Sequence, residues 1–371
     1  MRLPLKFSAP RMAVVRRTSG DEPPNVPVAY NNPEMLLLFA DSALFPSDGL
    51  TFPLDKNAET LRDGDIITVN EYGLVSKLYN AEERDATVYL TGMCNSNCVM
   101  CPTSDYERKN YRGVPDEWMI HYLEALPADI EHVTVTGGEP TMRTELFFQV
   151  MSRLAERFPE IETLLLTNGR SFASQRMTER LLSMCPQYLT VAIPLHGHAP
   201  GLHDSITRAN GSFRQTCTGI RRLLSEGVSV ELRVVVSALN CRALSEVAAL
   251  IAAEFPNVLI VNFVGLETLG NCVKYFSTVY MDYAESFRYI KPAVKTLTEA
   301  GIDVSLYNYP LCTVERGYWG LCRRSISPHK VRYAPECENC AVKFLCGGWF
   351  KSTLAVAKPS VSPVMGEKLS C

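Results

Sequence analysis

The sequence predicts an α/β protein: a partial, TIM-like (β/α)6 barrel, a small β-rich unit before it and a cysteine-rich segment after it. Three observations carry this expectation. Strand-like and helix-like patterns alternate six times between Thr87 and Ala300. The strand candidates are short and dominated by Val, Leu and Ile, as strands covered on both faces are. A C-x3-C-x2-C run follows the first strand candidate, and a Gly-Gly-Glu-Pro turn follows the second, where barrel folds place their chemistry.

The bounds agree with this. At 371 residues the chain exceeds the size at which one core usually stops growing, so a large domain with appendages is expected. Apolar residues make up 46% and charged residues 21%, the balance of an ordinary globular protein. A net charge of −3 argues against nucleic acid or an anionic membrane surface as partner, and no apolar stretch has the length of a membrane span. The basic start, Met1 to Arg17, lacks the apolar core of a secretory signal, so a cytoplasmic protein is expected. Of thirteen cysteines, eight fall in two groups, which favours metal over a disulfide framework. Cys185, Cys217, Cys241 and Cys272 are scattered and read as inert thiols.

Residues 1–80 form the expected N-terminal unit. Its first twenty-five residues read as loosely ordered and run into the Pro/Asn-rich stretches Pro23–Pro27 and Asn31–Pro33. Met35 to Phe39 is a short apolar run, and Asp63 to Val75 reads as strand, turn, strand. Residues 81–300 form the barrel. Its strands are expected at Thr87–Thr91, His132–Thr136, Thr163–Thr167, Leu189–Leu195, Val228–Val236 and Asn257–Val264. Its helices are expected at Asp116–Leu126, Glu145–Phe158, Ser174–Met184, Phe213–Glu226, Ala243–Phe255 and Asp282–Ala300. Such alternation gives a parallel sheet with right-handed crossovers.

Cys94, Cys98 and Cys101 lie within eight residues and can converge on one metal centre. An iron–sulfur cubane normally takes four thiolates, so this loop leaves one iron without a cysteine. A structural zinc site is closed by four ligands, and the loop offers neither a histidine nor a second cysteine pair. After strand two, Gly137 and Gly138 leave backbone open to close approach, and Glu139 offers a carboxylate to an ammonium group. The same turn also reads as a plain βα connection started by Pro140. Asn168, after strand three, is either a turn residue or faces the site. His196 and His198, after strand four, either enter the site or lie on the surface. Arg233, inside strand five, needs an anionic partner if buried; otherwise it emerges on a polar face. In the last segment, residues 301–371, Cys337, Cys340 and Cys346 form C-x2-C-x5-C followed by Gly-Gly. Cys312, directly after a strand-like run, is the preferred fourth ligand, with Cys322 as the alternative; zinc is the competing occupant.

The loop from Thr91 to Cys101 and the Gly137–Pro140 turn resemble the signatures of the radical S-adenosylmethionine (SAM) superfamily. That resemblance implies a [4Fe-4S] cluster on Cys94, Cys98 and Cys101, with SAM chelating the fourth iron. It implies reductive cleavage of SAM to methionine and a 5′-deoxyadenosyl radical, which abstracts hydrogen from a substrate. It further implies that Gly137, Gly138, Glu139 and Pro140 receive the SAM amino group and that Met100 shields the site. Asn168 would face SAM or substrate, and Arg233 would meet the SAM carboxylate. At the end of strand four relatives often use a Ser for a ribose contact; here Pro194 stands nearby, so that role is not carried over. Near Gly265 relatives contact adenine through backbone. The C-terminal cysteines are similar to a SPASM or twitch extension, too few for two clusters and suited to one auxiliary [4Fe-4S] cluster of twitch type. Cys371 is a sixth cysteine if it folds back. Gly64–Asn70, Thr91–Cys101, Leu306–Cys312, Arg324–Ser327 and Cys346–Phe350 further resemble the His-Xaa-Ser system radical SAM maturase of HxsC type. The partners implied are a precursor peptide with His-Xaa-Ser repeats, a reductant such as flavodoxin or ferredoxin, and a second radical SAM protein. The alternatives are a radical SAM enzyme acting on a small metabolite and a non-enzymatic metal-cluster module.

Overall fold

The computed structural model describes residues 3, 7, 9–17, 34–38, 42–45, 47, 49–53, 60–111 and 113–366. The Pro/Asn-rich stretches expected at 23–27 and 31–33, and Cys371, lie outside the described residues. The N-terminal unit is a six-stranded sheet built from β1 (Arg11–Arg17), β2 (Glu34–Leu38), β3 (Ser42–Phe45), β4 (Leu50–Pro53), β5 (Ile66–Val69) and β6 (Val75–Tyr79). Their spatial order is β4-β3-β2-β1-β5-β6. At residues 11–17 this corrects the expectation of a loose start. β1 is central, parallel to β2 and antiparallel to β5. The reason is alternation hidden by arginines: Ala13 and Val15 enter the small core with Leu36, Leu38, Phe45 and Ile67. Met12, on the other face, joins Ile66 and Tyr79 in the main core. The Arg11 guanidinium sits 4.9 Å over the Phe45 ring and pairs with Glu34 at 3.0 Å, so a basic residue packs as part of the sheet.

The second sheet runs through β7 (Asp85–Tyr89), β8 (His132–Thr136), β9 (Glu162–Leu166), β10 (Tyr188–Pro194), β11 (Ser229–Val235), β12 (Ile260–Val264), β13 (Val304–Tyr307) and β14 (Cys322–Arg323). All neighbours are parallel and in chain order, the winding of an α/β barrel. The six expected strands are present within three residues at either end. The sheet also continues past residue 300: β13 and β14 extend it into the segment expected to be separate. Val88, Val133, Leu165, Val191, Leu232, Phe263 and Leu306 form one apolar face, which the helices cover.

The helices are α1 (Asp105–Asn110), α2 (Asp116–Ala125), α3 (Thr144–Arg157), α4 (Gln175–Leu182), α5 (Pro200–Thr207), α6 (Ser212–Ser225), α7 (Leu244–Glu254), α8 (Asn271–Lys274), α9 (Phe276–Val279), α10 (Tyr283–Glu299) and α11 (Lys351–Val356). The long ones match the periodicity. The short ones, α1, α5, α8 and α9, follow β7, β10 and β12 at the carboxyl end of the sheet and were not legible as periodic segments. Tyr122 of α2 donates to the carbonyls of Leu78 and Thr87, tying the N-terminal sheet to the barrel. The C-terminal segment adds a two-stranded ribbon, β15 (Val331–Arg332) with β16 (Trp349–Phe350). Among the described residues no helix is long and apolar enough to cross a membrane.

Candidate active site at the mouth of the barrel

The cysteine loop leaves β7 and is held by backbone from three directions. Asn97 N–H donates to Thr207 O and Val99 N–H to Ile206 O, both at 2.9 Å, which fastens the loop to the end of α5. Asn271, at the start of α8, donates its backbone N–H to Cys101 O and its side-chain amide to Cys98 O and Asn97 Oδ1. From the third side, Arg170 donates to Asn95 O at 2.6 Å and to Ser96 Oγ at 3.1 Å. Ser96 N–H points at Cys94 Sγ at 3.4 Å, the hydrogen bond that supports a thiolate ligand. Burial pushes the Cys94 thiol up to about 11 and the Cys98 thiol to about 12, and the charge of Cys101 pushes both the same way. Three thiols whose charges interact, on a loop held by hydrogen bonds, have the donor chemistry of an iron–sulfur loop.

The Gly-Gly-Glu turn is pressed against the backbone of this loop. Gly138 N–H donates to Thr91 O at 2.6 Å, and Glu139 N–H to Met93 O at 2.8 Å. A Cβ on Gly138 would lie 2.3 Å from Gly92 O and 2.5 Å from Met93 O; one on Gly137 would lie 2.6 Å from Thr91 O. The glycines therefore permit contact between two loops of the protein itself. The Glu139 carboxylate is fully buried. Its Oε1 accepts from Thr141 N–H, Thr141 Oγ and Thr167 Oγ, and its Oε2 accepts from Asn168 N–H at 2.7 Å. Burial raises its pKa while those four bonds lower it. Pro140 opens the 3-10 turn that follows.

The remaining expected residues divide. Asn168 donates its side-chain amide to Asn95 Oδ1 at 2.6 Å and accepts from Arg170 N–H, so it ties the end of β9 to the cysteine loop. Met100 is buried in an apolar cluster with Ile206, Leu266, Cys272 and Val279 behind the loop. Arg233 has its anionic partner within the chain, Glu231 on the same strand, and lies 5.6 Å from the Tyr307 ring. His196 is buried and stacked on His203, and burial lowers the two imidazoles to about 3 and about 4. His198 is exposed. The structure adds Arg170, Asn271 and Arg108 to the site. Only Arg170 had a signal in the sequence, its place directly after Asn168-Gly169, where Gly169 takes a left-handed φ of 75°.

A second group forms in the C-terminal segment. Cys312, Cys337, Cys340 and Cys346 line one enclosed cavity with Pro310, Leu311, Val342, Trp349, Val361 and Pro363; Cys322 does not line it. Leu311 N–H and Gly348 N–H both point at Cys346 Sγ at 3.4 Å. Burial pushes the Cys312 thiol up to about 11 and raises that of Cys337. Among the described residues no three His, Cys, Asp or Glu side chains are gathered tightly enough for a single metal ion. Four thiols around one cavity equal in number the cysteines a cubane takes, one for each iron.

Residues 88–239 match the family model described as the Radical SAM superfamily. Over 167 residues the chain is 29% identical to the mycofactocin maturase MftC of Mycobacterium tuberculosis, a match covering 43% of this chain and 40% of that protein. Over 157 residues it is 26% identical to a probable GTP 3′,8-cyclase of Saccharolobus islandicus, covering 42% of this chain and 49% of that protein. Among solved structures, Streptococcus suis SuiB aligns with a TM-score of 0.49 at 14% identity, over 62% of this chain and 50% of that one. The matches thus span half or less of these proteins.

Proposed function

We propose that this chain, whose residues 88–239 match the radical SAM superfamily model, is an enzyme that cleaves SAM reductively and takes hydrogen from a ribosomally made peptide. The observation that carries the reading is the loop of Cys94, Cys98 and Cys101: three coupled thiols, no fourth cysteine in the run, and backbone bracing from α5, α8 and Arg170. When bound there, a [4Fe-4S] cluster supplies the electron that breaks a carbon–sulfur bond of SAM and yields the 5′-deoxyadenosyl radical.

The chain's own residues do the rest. Gly137 and Gly138 seat the turn against the loop, and Pro140 starts its return into the helix layer. Oε2 of Glu139 takes a single protein hydrogen bond, from Asn168 N–H, and so retains capacity to accept from the SAM amino group. Asn168 keeps the loop in register and Met100 backs it with apolar surface, while Arg233 would have to share its pairing with Glu231 to meet the SAM carboxylate. Cys312, Cys337, Cys340 and Cys346 hold an auxiliary [4Fe-4S] cluster; the cavity they share supports that set over one including Cys322.

A peptide substrate is supported by the likeness to a maturase and by the resemblance to the His-Xaa-Ser maturases, which extends beyond residues 88–239 to Gly64–Asn70 and Leu306–Cys312. The proposed partners are a precursor peptide with His-Xaa-Ser repeats, a flavodoxin- or ferredoxin-type reductant and a second radical SAM protein. The proposed setting is the cytoplasm, where thiols stay reduced. The likeness to a GTP 3′,8-cyclase favours a second reading, a small-molecule substrate. Anaerobic reconstitution tests the central reading: about eight irons per chain and 5′-deoxyadenosine formation with SAM and a reductant are expected. A Cys98→Ala variant that still forms 5′-deoxyadenosine overturns it. Mass spectrometry of a co-expressed precursor peptide decides the substrate class.

A further inference from the structure

Arg108 lies in α1, seven residues beyond Cys101, and its side chain is only 8% exposed. Nη2 donates to Asp105 Oδ1 at 2.5 Å, and Asp105 Oδ2 accepts from Lys274 Nζ at 3.0 Å. Nη1 is buried and has no hydrogen-bond partner among the described residues. A buried N–H of a charged group left unpaired is costly, so such a group is normally aimed at an acceptor. The helix that carries it is packed on the cysteine loop: Gly92 N–H donates to Tyr111 O at the end of α1, and Lys274, which holds Asp105, shares α8 with Asn271, the donor to Cys101 O and Cys98 O.

We propose that Arg108 is a positioning residue for the first cluster: Nη1 donates to the sulfur side of the loop, and the buried charge makes that cluster easier to reduce. The inference rests on the function proposed above. Three thiolates and an oxidised cubane carry a net negative charge, and the electron taken from the reductant adds one more. A fixed cation nearby favours the reduced form, and cluster potentials follow net charge and hydrogen bonds to sulfur. Asp105 offsets part of that cation, while Lys274 offsets part of Asp105. The geometry makes the pair a built-in setting of the potential, with opposite signs for its two members.

The test is a potentiometric titration of the reconstituted full chain, following by electron paramagnetic resonance only the signal that changes when SAM is added. At the poise where the wild type is half reduced, Arg108→Gln is expected to lower the reduced-to-oxidised ratio on the order of tenfold, ~59 mV for a one-electron couple. Arg108→Lys recovers part of the loss, and Asp105→Asn shifts the ratio the other way. An Arg108→Gln protein with full iron and an unchanged ratio overturns the proposal, as does a shift of the same sign in both variants. If Arg108→Gln fails to assemble, the sign of Asp105→Asn decides. A wild-type chain that shows no SAM-responsive cluster overturns the proposed function itself, a result distinct from either.

Discussion

The two cysteine groups of this chain are built on opposite plans. The loop at 94–101 has three thiols and borrows its rigidity from the barrel, through hydrogen bonds reaching α5, α8 and Arg170. The group at 312–346 has four thiols around a cavity walled by Pro310, Val342, Trp349 and Val361, and its support comes more from its own segment: 3-10 turns, β16 and N–H groups aimed at Cys346, with Trp349 packed on Tyr283 of the main core. Three ligands leave a coordination position for a reactant, whereas four complete the coordination of a cubane. Under the proposed function, the difference makes the first site one arranged for exchange and the second one arranged for retention.

The strongest way to break this contrast is to remove one thiol from each site. Cys98→Ala is expected to abolish 5′-deoxyadenosine formation. Cys340→Ala is expected to lose about four irons while still cleaving SAM, with the substrate product lost. Iron assay and chromatography of the nucleoside read both. Cys322→Ala should keep its iron; a loss equal to that of Cys312→Ala would show that the cavity does not define the ligand set.

The glycines sharpen the same contrast. Gly138→Val forces a side chain into Gly92 O and Met93 O and is expected to destabilise the fold by about 3 kcal/mol. Gly347→Ala, beside the second group, meets nothing closer than 3.5 Å and should stay within about 0.5 kcal/mol. Urea denaturation of both variants checks this, and equal effects would remove the distinction between a barrel-braced site and a locally held one. Thr167→Val comes next: it takes a donor from the fully buried Glu139 and is expected to cost about 1–2 kcal/mol, read by the same melts.

The smallest effect is a pH dependence confined to the mouth. His196 and His203 are held below their ordinary value of about 6.5 by burial, to about 3 and about 4. Below pH 6.5 the unfolded chain binds protons that the folded chain refuses, so stability is full above that pH and falls as the pH drops toward 4. The urea midpoint should decline from pH 6.5 to 4.5 and be flat, for this pair, from 7 to 8. A His203→Gln variant with an unchanged slope would contradict that assignment.

By itself the sequence determined the spacing of Cys94, Cys98 and Cys101, the Gly-Gly-Glu-Pro turn, the C-x2-C-x5-C run and the positions of the barrel strands. These are legible because ligand spacing and apolar periodicity are local properties of a chain. Local patterns also misled, where the arginines flanking Met12–Val15 disguised a central strand as a basic tail. Only the tertiary structure decided what the spaced residues touch. It set Glu139 against Thr167, 28 positions away, and Asn271 against Asn97, 174 positions away. It also placed Cys312 rather than Cys322 in the cavity with Cys337, Cys340 and Cys346. The physical reason is that hydrogen-bond partners are chosen by the packing of parallel strands whose crossovers carry distant segments to one end of the sheet, and no window on the chain contains both members of such a pair.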